Sequence, residues 1–351
     1  MKIPAVVIAD VRRRIALTEC PPPYVGGYEP SARLEIGSPY VSLAARPSDV
    51  KLMRSMIRIV TILVGLVLFP AVTSVATSST MHPKSAFDSY VLDYSTPADP
   101  GLQAKLEGID ADLRGKYGMS TNDTAVGLLD LRTLRLAMVH PDREEYAASV
   151  AKIGILLAWF QIHPESATNL SAETRHELGL MAKISSNEMA AKFSRELGLK
   201  QIQEVLDSMH FYDTNHGGGI WVGKHYGQSA ERYGDPIADN SHAATVRQLL
   251  RFYLLLEQGK LISPAASKTM REIFASPDIP PDDIKFVKAL ADRKLEIIRK
   301  WGTWENWFHD TAVITGPGRH YILVALTHHA NGDEYLVDLA KEVDDSLAPK
   351  E

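Results

Sequence analysis

Apolar residues recur along the chain with two periods, and these divide it into elements. Leu102, Leu106, Ile109 and Leu113 stand at helical spacing and predict a helix over roughly 100–116. "TAVGLLDL" and "LRLAMVH" are short strand-like runs joined around Arg132 and Thr133. "EEYAASVAKIGILLAWF" predicts a buried helix with Ser149 near its start, and "SAETRHELGLMAKIS" a second one capped by Ser171. "SNEMAAKFSRELG" and "KQIQEVLDSMHF" continue the helical block. Between His210 and Ser241 periodicity fails and glycines crowd together, so the stretch reads as a long surface loop, a kind that is usually functional. Helices return at "AATVRQLLRFYLLLEQG" and "SPAASKTMREIFA". The end is strand-like in "KLEIIRKWGTW", "HDTAVITG" and "HYILVALTHH", and closes on the helix "DEYLVDLAKEVDDSL". The order predicts an α/β domain of the α+β type: one antiparallel sheet from both chain ends, packed with helices, and an all-helical subdomain inserted between. A cleft at their junction is the expected site.

A different apolar pattern lies upstream. Lys51, Arg54 and Arg58 precede an apolar run from Ile59 to Val72, and Ser74-Val75-Ala76 has the small-x-small form of a signal-peptidase site. Residues 53–76 are therefore expected to be an export signal or, if uncleaved, a membrane anchor over 57–75; a buried core helix is the structural alternative. Met53 or Met56 would start such a signal. Residues 1–52 then read as a start-site overcall or a disordered tail, 77–98 as a linker, and 99–351 as the folded domain. The expected location is outside the cytoplasm, periplasmic or extracellular, with or without a membrane anchor.

Composition narrows the partners. The 351 residues are 45% hydrophobic and 23% charged with a formal net charge of -5, a globular balance without the basic excess that nucleic acid demands. The single cysteine, Cys20, excludes an internal disulfide framework. Neither His-Glu-x-x-His nor a Cys/His zinc spacing occurs, so no metal is expected.

The chemistry rests on three short motifs. Ser149 and Lys152 are one helical turn apart, so a hydroxyl and an amine share a face. Ser185-Ser186-Asn187 falls between two helices, and Lys300-Trp301-Gly302-Thr303 ends a strand-like run. Alone, each has a bland reading: a helix cap for Ser149, a snorkelling stem for Lys152, a solvated strand end for Lys300. Together and in this order they resemble the penicillin-recognising serine hydrolases, class A β-lactamases in particular, whose motifs are Ser-x-x-Lys, Ser-x-Asn and Lys-Thr/Ser-Gly. The resemblance runs from about Asp99 to Leu347.

It implies a nucleophile at Ser149, a base at Lys152, and a proton relay through Ser185 with Lys300 beside it. Asn187 would hold the substrate's amide side chain. Backbone N–H groups of Ser149 and Thr303 would form the oxyanion hole. Substrate-binding residues are then Asn187, Trp301, Gly302 and Thr303, and no cofactor is implied. Two departures stand out. Trp301 takes the place of the hydroxyl that binds the substrate carboxylate, and strand alternation lets Thr303 substitute for it. The Glu-x-x-Leu-Asn motif that activates the deacylating water is missing; Glu231, at a comparable distance before the next helix but in a different context, is the catalytic candidate for that role.

The expected activity is hydrolysis of a β-lactam amide by a monomer. The alternatives are a peptidase acting on D-alanyl-D-alanine peptides, and a tethered penicillin-binding sensor or scaffold with little turnover. Other features read as structural. "NHGGG" lacks the downstream Gly-x-Ser-x-Gly elbow of lipases, so its glycines are expected to serve turns, and His328-His329 reads as a strand end. Trp301, Trp304 and Trp307 either line the cleft or pack on the sheet.

Overall fold

The structure, a computed structural model, describes residues 85–348. In chain order the strands are β1 (Thr124–Asp130), β2 (Arg135–Val139), β3 (Glu145–Tyr146), β4 (Tyr212–Asp213), β5 (Gly218–Gly219), β6 (Trp221–Val222), β7 (His242–Ala244), β8 (Glu296–Trp304), β9 (Trp307–Gly316) and β10 (Arg319–His328). The helices are α1 (Ala86–Ser89), α2 (Pro100–Tyr117), α3 (Lys152–Ile162), α4 (Ala172–Lys183), α5 (Asn187–Leu197), α6 (Leu199–Ser208), α7 (Val246–Glu257), α8 (Pro264–Phe274), α9 (Lys285–Ala289) and α10 (Gly332–Leu347).

The central sheet has the order β2-β1-β10-β9-β8, antiparallel throughout, so strands from the two chain ends pair directly at β1 and β10. Alternation sorts its side chains. Ala125 and Leu129 of β1 and Ile322, Val324 and Leu326 of β10 enter one core; Val126 and Leu128, with Tyr321, Leu323 and Ala325, enter another. Burial on both faces explains why "TAVGLLDL" is almost uninterrupted in apolar character.

One core is closed by α2 and α10 through Leu102, Leu106, Leu113, Leu336, Leu339 and Val343. The other is closed by α7, α8 and the helical block around α3. Each such buried side chain contributes about 1.5–3 kcal/mol, which is why these helices hold their places on the sheet. In α3 every residue from Lys152 to Phe160 is buried, the condition of a helix that is apolar all round.

Helix starts follow the capping chemistry. Asp99 accepts from Leu102 N ahead of α2, and Ser171 accepts from Thr174 N ahead of α4. At "AATVRQLL" the structure departs from the expected helix. His242–Ala244 is a strand pairing with β3 and β6, and the helix begins only after Thr245, which accepts from Gln248 N. A three-residue strand beside a long helical pattern leaves too short a period to read.

The loop from 210 to 241 contains β4, β5 and β6. Its glycines are needed where chains crowd: Gly217 and Gly218 have φ of 82 and 90, and a Cβ on them would collide with Asp142 O and the Glu144 carboxylate. Residues 85–98, compositionally a linker, are packed on the body. Leu92 is buried, Gln258 donates to Phe87 O and Tyr90 O, and Arg247 donates to Asp93 O. Those partners are backbone carbonyls, which composition does not reveal. Among the described residues no helix is long and apolar enough to cross a membrane; the apolar run 59–72 lies outside them.

Candidate active site

Ser149 sits on a tight 3-10 turn, Ala148–Ala151, that runs directly into α3. Ala148 ahead of it has φ 46, a left-handed conformation costing a non-glycine residue about 1–3 kcal/mol. Its surroundings hold it there. Tyr226 donates its hydroxyl to Ala148 O at 3.0 Å, and Ala147 N donates to His242 O at 3.0 Å. The N-terminus of α3 behind the turn favours developing negative charge. Ser149 lines a cavity of about 370 Å³, together with Asn187, Tyr226, His242, Thr303 and Trp304.

Lys152 lies just beneath that cavity, 1% exposed. Its Nζ donates to Ser185 O at 2.6 Å, Asn187 Oδ1 at 2.7 Å and Ser185 Oγ at 3.2 Å. No hydrogen bond joins it to Ser149. All its partners are neutral, so nothing offsets the loss of water, and burial lowers the amine to about 7. The motif residues Lys152, Ser185 and Asn187 are therefore brought together around one nitrogen. Ser185 has φ 62, a second strained non-glycine residue at the site. Ser186 caps α5 by accepting from Met189 N, which places Asn187 at the helix start, facing the cavity.

The third motif approaches along β8. Gly302 packs against the nucleophile turn so closely that a Cβ on it would stand 3.0 Å from Ala147 O, Ser149 N and Val150 N. Thr303 follows it on the cavity wall. Lys300 is fully buried and donates to Trp301 O at 2.7 Å; burial, then the neighbouring Lys152 and Arg299, hold its amine well below the usual lysine range. Trp301 does not line the cavity. Its half-buried ring packs between two amines, with Lys285 Nζ at 5.0 Å and Lys300 Nζ at 5.1 Å from its centroid. Trp304, 57% exposed, stands at the cavity mouth instead, and Trp307 stacks on His328 at 3.8 Å.

Glu231 is outside the cavity lining. Its half-exposed carboxylate accepts from His225 Nε2 at 3.2 Å, and His225 Nδ1 meets Ser194 Oγ of α5 at 2.9 Å. Tyr226, next in sequence, lays its ring over Lys152, with Nζ 4.4 Å from the centroid. No Asp or Glu is among the residues lining the cavity. Among the described residues no group of three or more His, Cys, Asp or Glu comes together to hold a metal.

Sequence reasoning missed Lys285, Tyr226 and His242. Lys285, only 1% exposed, donates to Gly302 O at 2.9 Å and Thr303 Oγ1 at 2.6 Å; burial lowers it to about 8. His242 donates Nε2–H to Lys224 O at 3.0 Å and is pushed by burial down to about 4, so it is neutral. None belongs to a motif; Tyr226 and His242 lie in or beside the aperiodic stretch 210–241, the one signal that pointed toward them, and nothing in the sequence marked Lys285.

A model of the β-lactamase enzyme family matches residues 161–346, a span that includes Ser185, Asn187 and Lys300 to Thr303 but begins after Lys152. No curated protein matches the chain. Among solved structures, the chain is similar to a β-lactamase from Sphaerobacter thermophilus at 13% identity and a TM-score of 0.55, covering 70% of this chain and 97% of that one. It is similar to PBP-A at 16% identity and a TM-score of 0.55, covering 72% and 98%. A class A β-lactamase from Mycobacterium abscessus matches at 16% identity and a TM-score of 0.54, covering 69% and 98%. At these identities the likeness shows the fold alone, an antiparallel sheet packed with helices.

Proposed function

The chain belongs to the β-lactamase enzyme family of serine hydrolases, and from that premise we propose that it forms an acyl-enzyme at Ser149, with the amide of a β-lactam as its substrate. One observation carries the reading: Lys152, Ser185 and Asn187 meet around a single buried amine beneath a cavity that Ser149 lines.

An ammonium at Lys152 would use all its N–H groups on Ser185 and Asn187. As the neutral amine that burial favours near pH 7, it has a lone pair to take the Ser149 proton. Ser149 Oγ then bonds to the substrate carbonyl carbon. The N–H groups of Ser149 and Thr303 stabilise the oxyanion, and the C–N bond breaks as Ser185 passes a proton to the leaving nitrogen. Lys285, protonated below its value of about 8 and bonded to Thr303 Oγ1, keeps the Thr303 strand edge positively biased. Asn187 and Thr303 contact the substrate, and Trp304 borders its exit. Water then hydrolyses the ester.

The absence of carboxylates from the cavity lining supports slow release and favours a second reading, a D-alanyl peptidase or penicillin-binding sensor with the same acylation step. The apolar run 59–72 supports a place outside the cytoplasm. Purified protein incubated with a fluorescent penicillin and a chromogenic cephalosporin separates the readings. Rapid colour marks a β-lactamase, a persistent fluorescent band a slow acyl-enzyme, and no reaction with either overturns both.

A further inference from the structure

Tyr226 lays its ring over Lys152, an amine whose hydrogen-bond partners are all neutral. Its ring centroid is 4.4 Å from Lys152 Nζ, the ring also packs on that of His242 at 4.4 Å, and its hydroxyl donates to Ala148 O. The ring is 8% exposed although its neighbours Gly227 and Gln228 line the opening. It is also braced. His225 beside it is tied to Ser194 of α5 and to Glu231, and a backbone bridge between Lys224 and Arg232 closes the same hairpin. The other titratable groups facing Lys152 are Lys300 from β8 and the neutral His242 from β7.

Two effects of the ring oppose each other. Its π face attracts an ammonium by about 0.5–2 kcal/mol. Its bulk excludes water, and desolvation of a buried lysine moves the amine by up to several pH units, so exclusion wins. Covering Lys152 also closes the path by which water would reach the ester from that side, while the hydroxyl holds the strained residue just before Ser149.

We propose that Tyr226 is a positioning residue for acylation: its ring seals the Lys152 amine from water and its hydroxyl fixes the turn that presents Ser149, so the site acylates readily and releases slowly. This rests on the acyl-enzyme reading above.

The test uses the full chain labelled with ¹³C-lysine, as wild type, Tyr226→Phe and Tyr226→Ala. Lys152 is titrated by NMR, and acylation and release with fluorescent penicillin are followed across pH. Tyr226→Phe should keep the wild-type midpoint and acylate about tenfold more slowly, because a catalytic hydroxyl is left less well placed. Tyr226→Ala should raise the midpoint by roughly one pH unit or more and speed release. If the alanine variant does not fold, Tyr226→Gln keeps a donor for Ala148 O while hydrating the amine, and should raise the midpoint likewise. A folded Ala or Gln variant with the wild-type Lys152 midpoint overturns the proposal, as does release no faster than wild type. The NMR titration needs no substrate, so a wild type that forms no adduct sinks the acyl-enzyme reading separately.

Discussion

Replacing Gly302 by alanine is a narrow way to disturb the oxyanion geometry. The added Cβ would stand 3.0 Å from Ala147 O, Ser149 N and Val150 N, all backbone atoms on the nucleophile turn. Ordinary contact begins near 3.4 Å, so strand and turn must part by a few tenths of an ångström. That movement separates the Ser149 and Thr303 N–H groups, which must both reach one oxygen. Losing a donor outright costs about 10²–10³ in rate, and a misplacement of about 1 Å costs about 10². A shift of this size should therefore slow acylation by about tenfold to a hundredfold, with about 1–3 kcal/mol of lost stability from overpacking. Stopped-flow acylation with fluorescent penicillin reads the rate, and urea unfolding reads the stability. Gly108→Ala is the control: nothing lies within 4 Å of its Cβ, and in the exposed face of α2 it should stabilise by about 0.5–1 kcal/mol. A folded Gly302→Ala protein that acylates at the wild-type rate would refute the placing of the oxyanion hole between β8 and the turn.

The remaining predictions concern proton holders. Lys152→Ala should abolish acylation, whereas Lys300→Ala should act mainly on substrate binding and leaving-group protonation, a split visible in saturation kinetics. Removing a true general base costs about 10² or more, so Glu231→Gln, whose carboxylate serves His225 outside the cavity, should slow release far less; single-turnover decay of the adduct measures it. Glu144 is pushed up to about 8 by burial and by Asp235 beside it, against an ordinary 4.5. Its folded form thus keeps a proton the unfolded chain loses, and the stability it gives is full below 4.5 and lost as pH rises through 8. Glu144→Gln should flatten that fall in urea unfolding between pH 5 and pH 8; an unchanged slope would show that Glu144 is ionised in the fold.

The fold was legible where apolar periods were long. The α2, α4 and α10 patterns and the β8 to β10 runs match the observed elements within a few residues, because their faces meet a core on the side the period marks. The motif residues were legible because each sits where an element begins or ends: Ser149 before α3, Asn187 at the start of α5, Lys300 to Thr303 at the end of β8. What escaped was long-range. Lys285 looks like any charged residue opening a short helix, and only the register of β8 brings Gly302 O and Thr303 Oγ1 to its amine. Tyr226 lies in a stretch whose conformation is set by bonds to α5 and to Ala148, partners far away in sequence. Strands of two or three residues, such as β3, β6 and β7, carry too few alternations to be read at all.

The central claim is a covalent bond to Ser149. Intact-mass spectrometry after exposure to benzylpenicillin, followed by peptide mapping, tests it most directly. The account predicts a single adduct of one drug molecule on the peptide containing Ser149, absent from Ser149→Ala. An adduct that persists in the folded Ser149→Ala protein, or that maps to another residue, would contradict it.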